Sequence, residues 1–238
     1  MNSHTPISRS LFDTRASKRL VAVAISVAVV TALISVAGSW LGPLLALSGH
    51  TEDQTLREIV IGNNVLAVPS NTIRFDEARV DGVTDRLDLY LHWPELDGYT
   101  AGTRDAFNNA EPEKRILFLT FEEATMSRDM TGRLEPIYRQ LIEQEGRATD
   151  GGLTAYEFTE TSGYTNEELV VGPGATPFVA RCLTGQAAET ALAPCERDLR
   201  MGEELSLTYR FPRGLLEQWS ALDEAVKKRA QSFLRTPS

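Results

Sequence analysis

Histidine and cysteine are scarce in this chain of 238 residues, with three of the first and two of the second. A structural zinc site needs about four ligands, and beyond the N-terminal His4 the sequence offers only His50, His92, Cys182 and Cys195. The two cysteines do not form a Cys-x-x-Cys pair, which removes the usual redox motif. Positive charge is also in deficit, with 24 lysines and arginines against 33 acids and a net charge of −9. An acidic surface repels phosphate backbones, so nucleic acid is not an expected partner. Internal repeats, heptad runs and low-complexity tracts are missing too, which excludes solenoids and coiled coils. Neither Gly-x-Ser-x-Gly nor an exported Ser-x-x-Lys occurs. "VVGPGATP" has the glycines of a phosphate loop, Gly172 and Gly174, without its lysine. No cofactor and no metal are expected.

What the chain has in excess is one apolar run. From Leu20 to Leu47, "LVAVAISVAVVTALISVAGSWLGPLLAL" carries no charged residue. A membrane-spanning helix needs about 20 such residues; Pro43 falls near its outer end and Trp40 near the interface. Arg9, Arg15, Lys18 and Arg19 precede the run against a single Asp13, and Glu52 and Asp53 follow it. Basic residues beside a span stay cytoplasmic. The organisation read from this is a cytoplasmic tail (1–19), a transmembrane signal-anchor (20–47), a polar linker (48–57) and a periplasmic domain (58–238). "SVAG" and "ALSG" are tolerable cleavage sequences, but a signal peptide's apolar core is only about 7–15 residues. No cysteine follows the run to make a lipoprotein. Ala24, Ala28 and Ala32, then Gly38 and Gly42, have the spacing that lets helices approach closely.

This topology bears on "FVARCLTGQAAETALAPCERD". An exported domain folds in an oxidising compartment, where paired cysteines become disulfides. Gly185 and Pro194 let the chain return between Cys182 and Cys195, and closing a loop of about 15 residues contributes roughly 3 kcal/mol. A structural disulfide between Cys182 and Cys195 is expected, at the base of an alanine-rich excursion.

The exported part reads as α+β, with a largely antiparallel sheet and about two packed helices. "EIVIGNNVLAV" is a hairpin signal around Gly62-Asn63-Asn64. "DRLDLYLHW" alternates Leu87, Leu89, Leu91 and Trp93 against Asp88, Tyr90 and His92, the mark of a half-buried strand. "RILFLTFEEA" is apolar on both faces from Ile116 to Leu119, which predicts a strand covered on both sides. "MTGRLEPIYRQLIEQEG" spaces Leu134, Ile137, Tyr138, Leu141 and Ile142 as a helix, with Pro136 in its first turn and Gly146 as its cap. "LTAYEFTE", "ELVVG", "PFVARCL" and "ELSLTYRF" are strand-like. The end of the chain places Leu215, Leu216, Trp219, Leu222, Val226 and Phe233 on one helical stripe.

"FVARC", "PCERD" and "LSLTYRFPRGLLEQW" resemble segments shared by a set of uncharacterised proteobacterial proteins with an N-terminal membrane anchor. The resemblance runs from the anchor to the C-terminus. It implies an inner-membrane protein facing the periplasm with a cysteine pair, and no activity.

Candidate chemistry is thin. His92, near Asp88, Glu95 and Asp97, has the makings of a general base, but a histidine among acids on a polar strand face is usually surface. Glu122 and Glu123 end a strand, yet adjacent strand residues point to opposite faces and cannot pair as glycosidase acids do. "TSGYT", around Ser162, reads as a turn. Trp93, Tyr99, Tyr164 and Trp219 have the makings of a sugar or peptide groove, although Trp93 and Trp219 are more economically core. No catalytic residue is assigned. The sequence favours a membrane-anchored envelope protein that works by binding another envelope protein, over a hydrolase of cell-wall glycan or peptide. A purely structural or toxin-blocking role is a third reading.

Overall fold

Gly62 and Asn63 form the two-residue turn of a hairpin between β1 (Leu56–Ile61) and β2 (Asn64–Pro69). Gly62 takes φ +54° there, a region costly for residues with a Cβ. In this computed structural model, residues 21–32 and 49–235 are described, and the chain divides into two units, Met1–Ser48 and Gly49–Ser238.

Of the first unit, residues 21–32 form a helix, α1, with exposed side chains. Among the described residues no helix is long and apolar enough to cross a membrane. The tail 1–19, Leu20 and the rest of the expected anchor, with Gly38 and Gly42, lie outside them.

The second unit holds two sheets. The smaller has the order β2-β1-β3, with β3 (Gly82–Val83) parallel to β1. The larger is an eight-stranded antiparallel sheet. It comprises β4 (Arg86–His92), β5 (Ile116–Glu123), β6 (Arg147–Thr149), β7 (Leu153–Glu157), β8 (Glu167–Val171), β9 (Val179–Leu183), β10 (Cys195–Met201) and β11 (Leu205–Phe211). Their order is β4-β5-β11-β10-β9-β8-β7-β6. Short helices join the strands, among them α2 (Arg104–Phe107), α3 (Met130–Arg133), α4 (Gly185–Thr190) and a 3₁₀ segment, Arg213–Gln218. The last leads into the long α5 (Trp219–Phe233).

Period-two alternation divides the large sheet into two faces. On one, Leu87, Leu89 and Leu91 of β4, Leu117, Leu119 and Phe121 of β5, and Leu205, Leu207 and Tyr209 of β11 are buried. They join the small sheet's Ile59, Ile61, Leu66 and Val68 and the α5 stripe Leu222, Val226, Ala230 and Phe233 in one core. On the opposite face a second, smaller cluster centres on β8 and β9, where Leu169, Val171 and Val179 meet Met130, Leu134, Tyr138 and Ile142, with Tyr156 of β7 packed against it.

Two expectations need correction. The segment 130–146 is not one helix: α3 ends at Arg133, and only a 3₁₀ turn, Tyr138–Gln140, follows. Asp129 caps the start, its side chain accepting from Gly132 N–H at 2.9 Å. Pro136 therefore falls beyond the first turn, where it lacks an N–H and its ring collides with the carbonyl four residues back. Likewise β5 is not covered on both sides, because Ile116, Phe118 and Thr120 are only half-buried.

Cys182 and Cys195 are direct partners in the β9–β10 register, joined by an S–S bond of 2.01 Å with Cα atoms 4.0 Å apart. The excursion between them folds into α4. Before β1, the backbone is laced to the domain from Gly49 onward. Gly49 O accepts from Arg79 Nη2 at 2.6 Å, Glu52 Oε1 from Ala101 N–H at 2.6 Å and Asp53 O from Asn71 N–H at 2.7 Å. The His50 ring stacks on Tyr99 at 4.6 Å, and its Nδ1 lies 3.1 Å from the Tyr90 hydroxyl.

Candidate functional site: the open face of the large sheet

Between the cluster over β8–β9 and the aromatic group at β4 (Tyr90, Phe107 and His50), the second face of the sheet is left half-exposed. The side chains that alternate with the core leucines stand on it, and register aligns them into rows. The first row runs Tyr90, Phe118, Arg210, Glu196, Arg181 across β4, β5, β11, β10 and β9. The second runs Asp88, Thr120, Thr208, Asp198, and the third Arg86, Glu122, Ser206, Arg200. Cross-strand neighbours stand about 5 Å apart, close enough to interact directly.

The carboxylates of these rows are already engaged. Arg86 grips Asp88 with two nitrogens at 2.8 and 2.9 Å, and Thr120 Oγ1 donates to the same carboxylate at 2.7 Å. Burial alone raises the Asp88 pKa, but those hydrogen bonds and the Arg86 charge outweigh it and hold the group below its ordinary value. Asp198 accepts from Arg133 Nη2 at 2.7 Å and from Met130 N–H at 3.0 Å. Here burial prevails over the Arg133 charge, and the carboxyl titrates above its usual range. Arg181 bridges Glu167, at 3.3 Å, and Glu196. Glu167 is likewise pushed up by burial, against the pull of Arg181. The Nε atoms of Arg133 and Arg181 are buried without an acceptor. A trough of about 250 Å³ runs between α3 and the ends of β5 and β11, lined by Glu122, Arg128, Arg133, Asp198, Arg200 and Ser206.

The cations are less fully engaged. Arg74 and Arg210 both stand over the Phe118 ring, 5.0 and 5.8 Å from its centroid, the geometry of a cation–π contact. At the other end, Arg200 donates to the Met126 carbonyl at 2.8 Å. The arrangement presents guanidinium forks, hydroxyls and one aromatic ring over a wide, shallow surface. Such a surface suits recognition of a polar partner.

The residues singled out from sequence fall as follows. Asp88, Tyr90 and His92 do share one strand face. Asp88 is held by Arg86 and Thr120, Tyr90 is buried, and His92 Nδ1 lies 3.7 Å from Glu95. Glu122 stands on the open face. Glu123 points the other way, to the hairpin turn, where its Oε1 lies 2.7 Å from where a Gly62 Cβ would be. The four aromatics are not gathered into a groove. Trp93 is core and Trp219 packs against it, Tyr99 stacks on His50, and Tyr164 stacks on Phe158 at 4.3 Å. Among the described residues no group of three His, Cys, Asp or Glu could hold a metal ion. Sequence reading missed the arginine rows. Their one local signal is the alternation of Arg with core positions in "CERDLR" and "LTYRF", opposite the odd apolar Phe118.

No protein-family model matches the chain, and no curated protein matches its sequence. Two solved structures are similar to it. One is an immunity protein of the Stenotrophomonas maltophilia type IV secretion system, 13% identical, with a TM-score of 0.49 over 79% of this chain and 96% of that one. The other is the iron-regulated outer membrane lipoprotein FrpD of Neisseria meningitidis, 10% identical, with a TM-score of 0.43 over 79% of this chain and 98% of that one.

Proposed function

We propose that this chain is a single-pass inner-membrane protein whose periplasmic domain binds another envelope protein through the open face of its large sheet. The anchor and orientation rest on the uncharged run 20–47 and the basic residues before it. The Cys182–Cys195 bond fits an oxidising compartment. One observation carries the binding role. The sheet is sealed by α5 and the hairpin on one face, while the other face, from the edge strand β4 through β5, β11 and β10 to β9, presents half-exposed rows of charge, hydroxyl and aromatic ring. Ordinary surface polarity does not require an arginine-flanked trough there.

The test is photocrosslinking in intact cells, with a photoreactive residue at Thr208 on the open face or at Lys228 on the outer side of α5. A discrete partner band is expected from position 208 alone. Crosslinking from 228 and none from 208 would move the contact surface elsewhere.

A further inference from the structure

The arginines of the open face depart from the balance of the rest of the molecule. The chain is acidic, yet among the described arginines only Arg74, Arg128, Arg200, Arg210 and Arg235 have no carboxylate ion-pair partner. The first four border this one face. They fall into two pairs: Arg74 and Arg210 over Phe118, and Arg128 and Arg200 at the far end of the trough. Along β10 the row of Arg210 and the row of Arg200 are four residues apart, which is about 13 Å at roughly 3.3 Å per residue. No lysine lies in these rows. Guanidinium is the cation that matches a carboxylate with two parallel hydrogen bonds, and it is less strongly hydrated than an ammonium.

We infer that the partner docks an acidic polypeptide segment here, with carboxylates about four residues apart in an extended stretch, one against each arginine pair. The inference rests on the reading of this face as the contact surface. A dense polyanion fits less well. Asp88 and Asp198 stand in the row between the two cationic ends, with Glu196 and Glu122 in the rows on either side, and together they repel a continuous line of phosphates, whereas carboxylates spaced about 13 Å apart meet the arginine pairs and bypass the middle row. Phe118 and the free hydroxyl positions of Ser206 and Thr208 suit the uncharged residues between.

Binding is measured by fluorescence anisotropy on the full chain in neutral detergent. The probes are a labelled extended peptide with glutamate pairs four residues apart, the same peptide with glutamine, and polyphosphate. The acidic peptide is expected to bind, and to weaken as salt is raised. Arg74→Glu with Arg210→Glu, and Arg128→Glu with Arg200→Glu, should each lower its affinity about tenfold or more, while Arg235→Glu leaves it unchanged. Urea midpoints of the variants check that the fold is intact. Equal binding of the glutamine peptide, preference for polyphosphate, or an equal loss in Arg235→Glu overturns the inference. Ser206→Trp, with the photoreactive residue kept at position 208, separates this from the reading beneath it, because it obstructs the face without altering charge. If Ser206→Trp abolishes the cellular crosslink and the arginine variants do not, the face stands as the contact surface and the acidic partner falls. A crosslink untouched by Ser206→Trp sinks both.

Discussion

Asp223 sits beside the buried apolar stripe of α5 because three donors converge on it. Its Oδ1 accepts from Arg197 Nε at 3.0 Å and from the Tyr209 hydroxyl at 2.8 Å, and its Oδ2 from Lys227 Nζ at 2.7 Å. The Arg197 and Asp223 side chains are 4% and 11% exposed, so water screens the pair little. Asp223→Ala would leave a buried guanidinium without its counter-charge, and urea unfolding should show a loss of roughly 3–5 kcal/mol. Burial alone would raise this carboxyl, but Arg197 and the hydrogen bonds from Lys227 and Tyr209 prevail and hold it below its ordinary value. Its contribution is therefore complete above the unfolded value of about 3.9 and fades as pH falls through the folded one. His50 works in the opposite chemical sense with the same slope. Burial lowers its pKa, reinforced by the Arg79 charge and opposed by a hydrogen bond with Asn108. Below about pH 6.5 the unfolded chain takes up a proton that the folded one refuses, so stability declines as pH drops. His50→Phe keeps the stack on Tyr99 and removes the titration. The midpoint of unfolding should then depend less on pH just below about 6.5 than in the parent protein, and an unchanged slope there would place the titration on another group.

At the scale of elements, the Cys182–Cys195 bond closes a loop across 13 residues between neighbouring strands. Replacing both cysteines by serine should lower stability by about 3 kcal/mol. Strand pairing of β9, β10 and β11 positions Arg200 and Arg210 without the bond, so affinity for the acidic probe should hold while the urea midpoint falls. Strands were readable where leucines alternate, as in Leu87, Leu89 and Leu91, because burial on one face imposes period two on the residues themselves. The segment 130–146 misled because Leu134, Tyr138 and Ile142 do face one cluster, but from a 3₁₀ turn and an irregular chain rather than a helix. Helical spacing records which residues are buried, and Pro136 decides what backbone buries them. The candidate site was less legible still. Arg210 meets Phe118 and Glu196 only through strand pairing, and pairing order is not written in local sequence. Asp223 was hidden for the same reason, since Arg197 and Tyr209 reach it on α5 from two strands, β10 and β11.

For the whole molecule, the orientation of the chain joins the disulfide to the proposed binding role. The residues before Leu20 are basic and those after Leu47 are predominantly acidic, an asymmetry that under the proposed anchoring puts the N-terminus on the cytoplasmic side. Alkaline phosphatase fused after Ser238 keeps the domain whole and becomes active only where its own disulfides form. The fusion should be active, and a fluorescent protein that matures only in the cytoplasm should stay dark at the same site. In the same cells, thiol alkylation without reduction should leave Cys182 and Cys195 unmodified, and alkylation after reduction should label both. The two readouts fail separately. An inactive phosphatase would reverse the topology, and with it the envelope partner, while leaving the face and its arginines in place. An active phosphatase with alkylated cysteines would keep the topology and remove the covalent tie between β9 and β10.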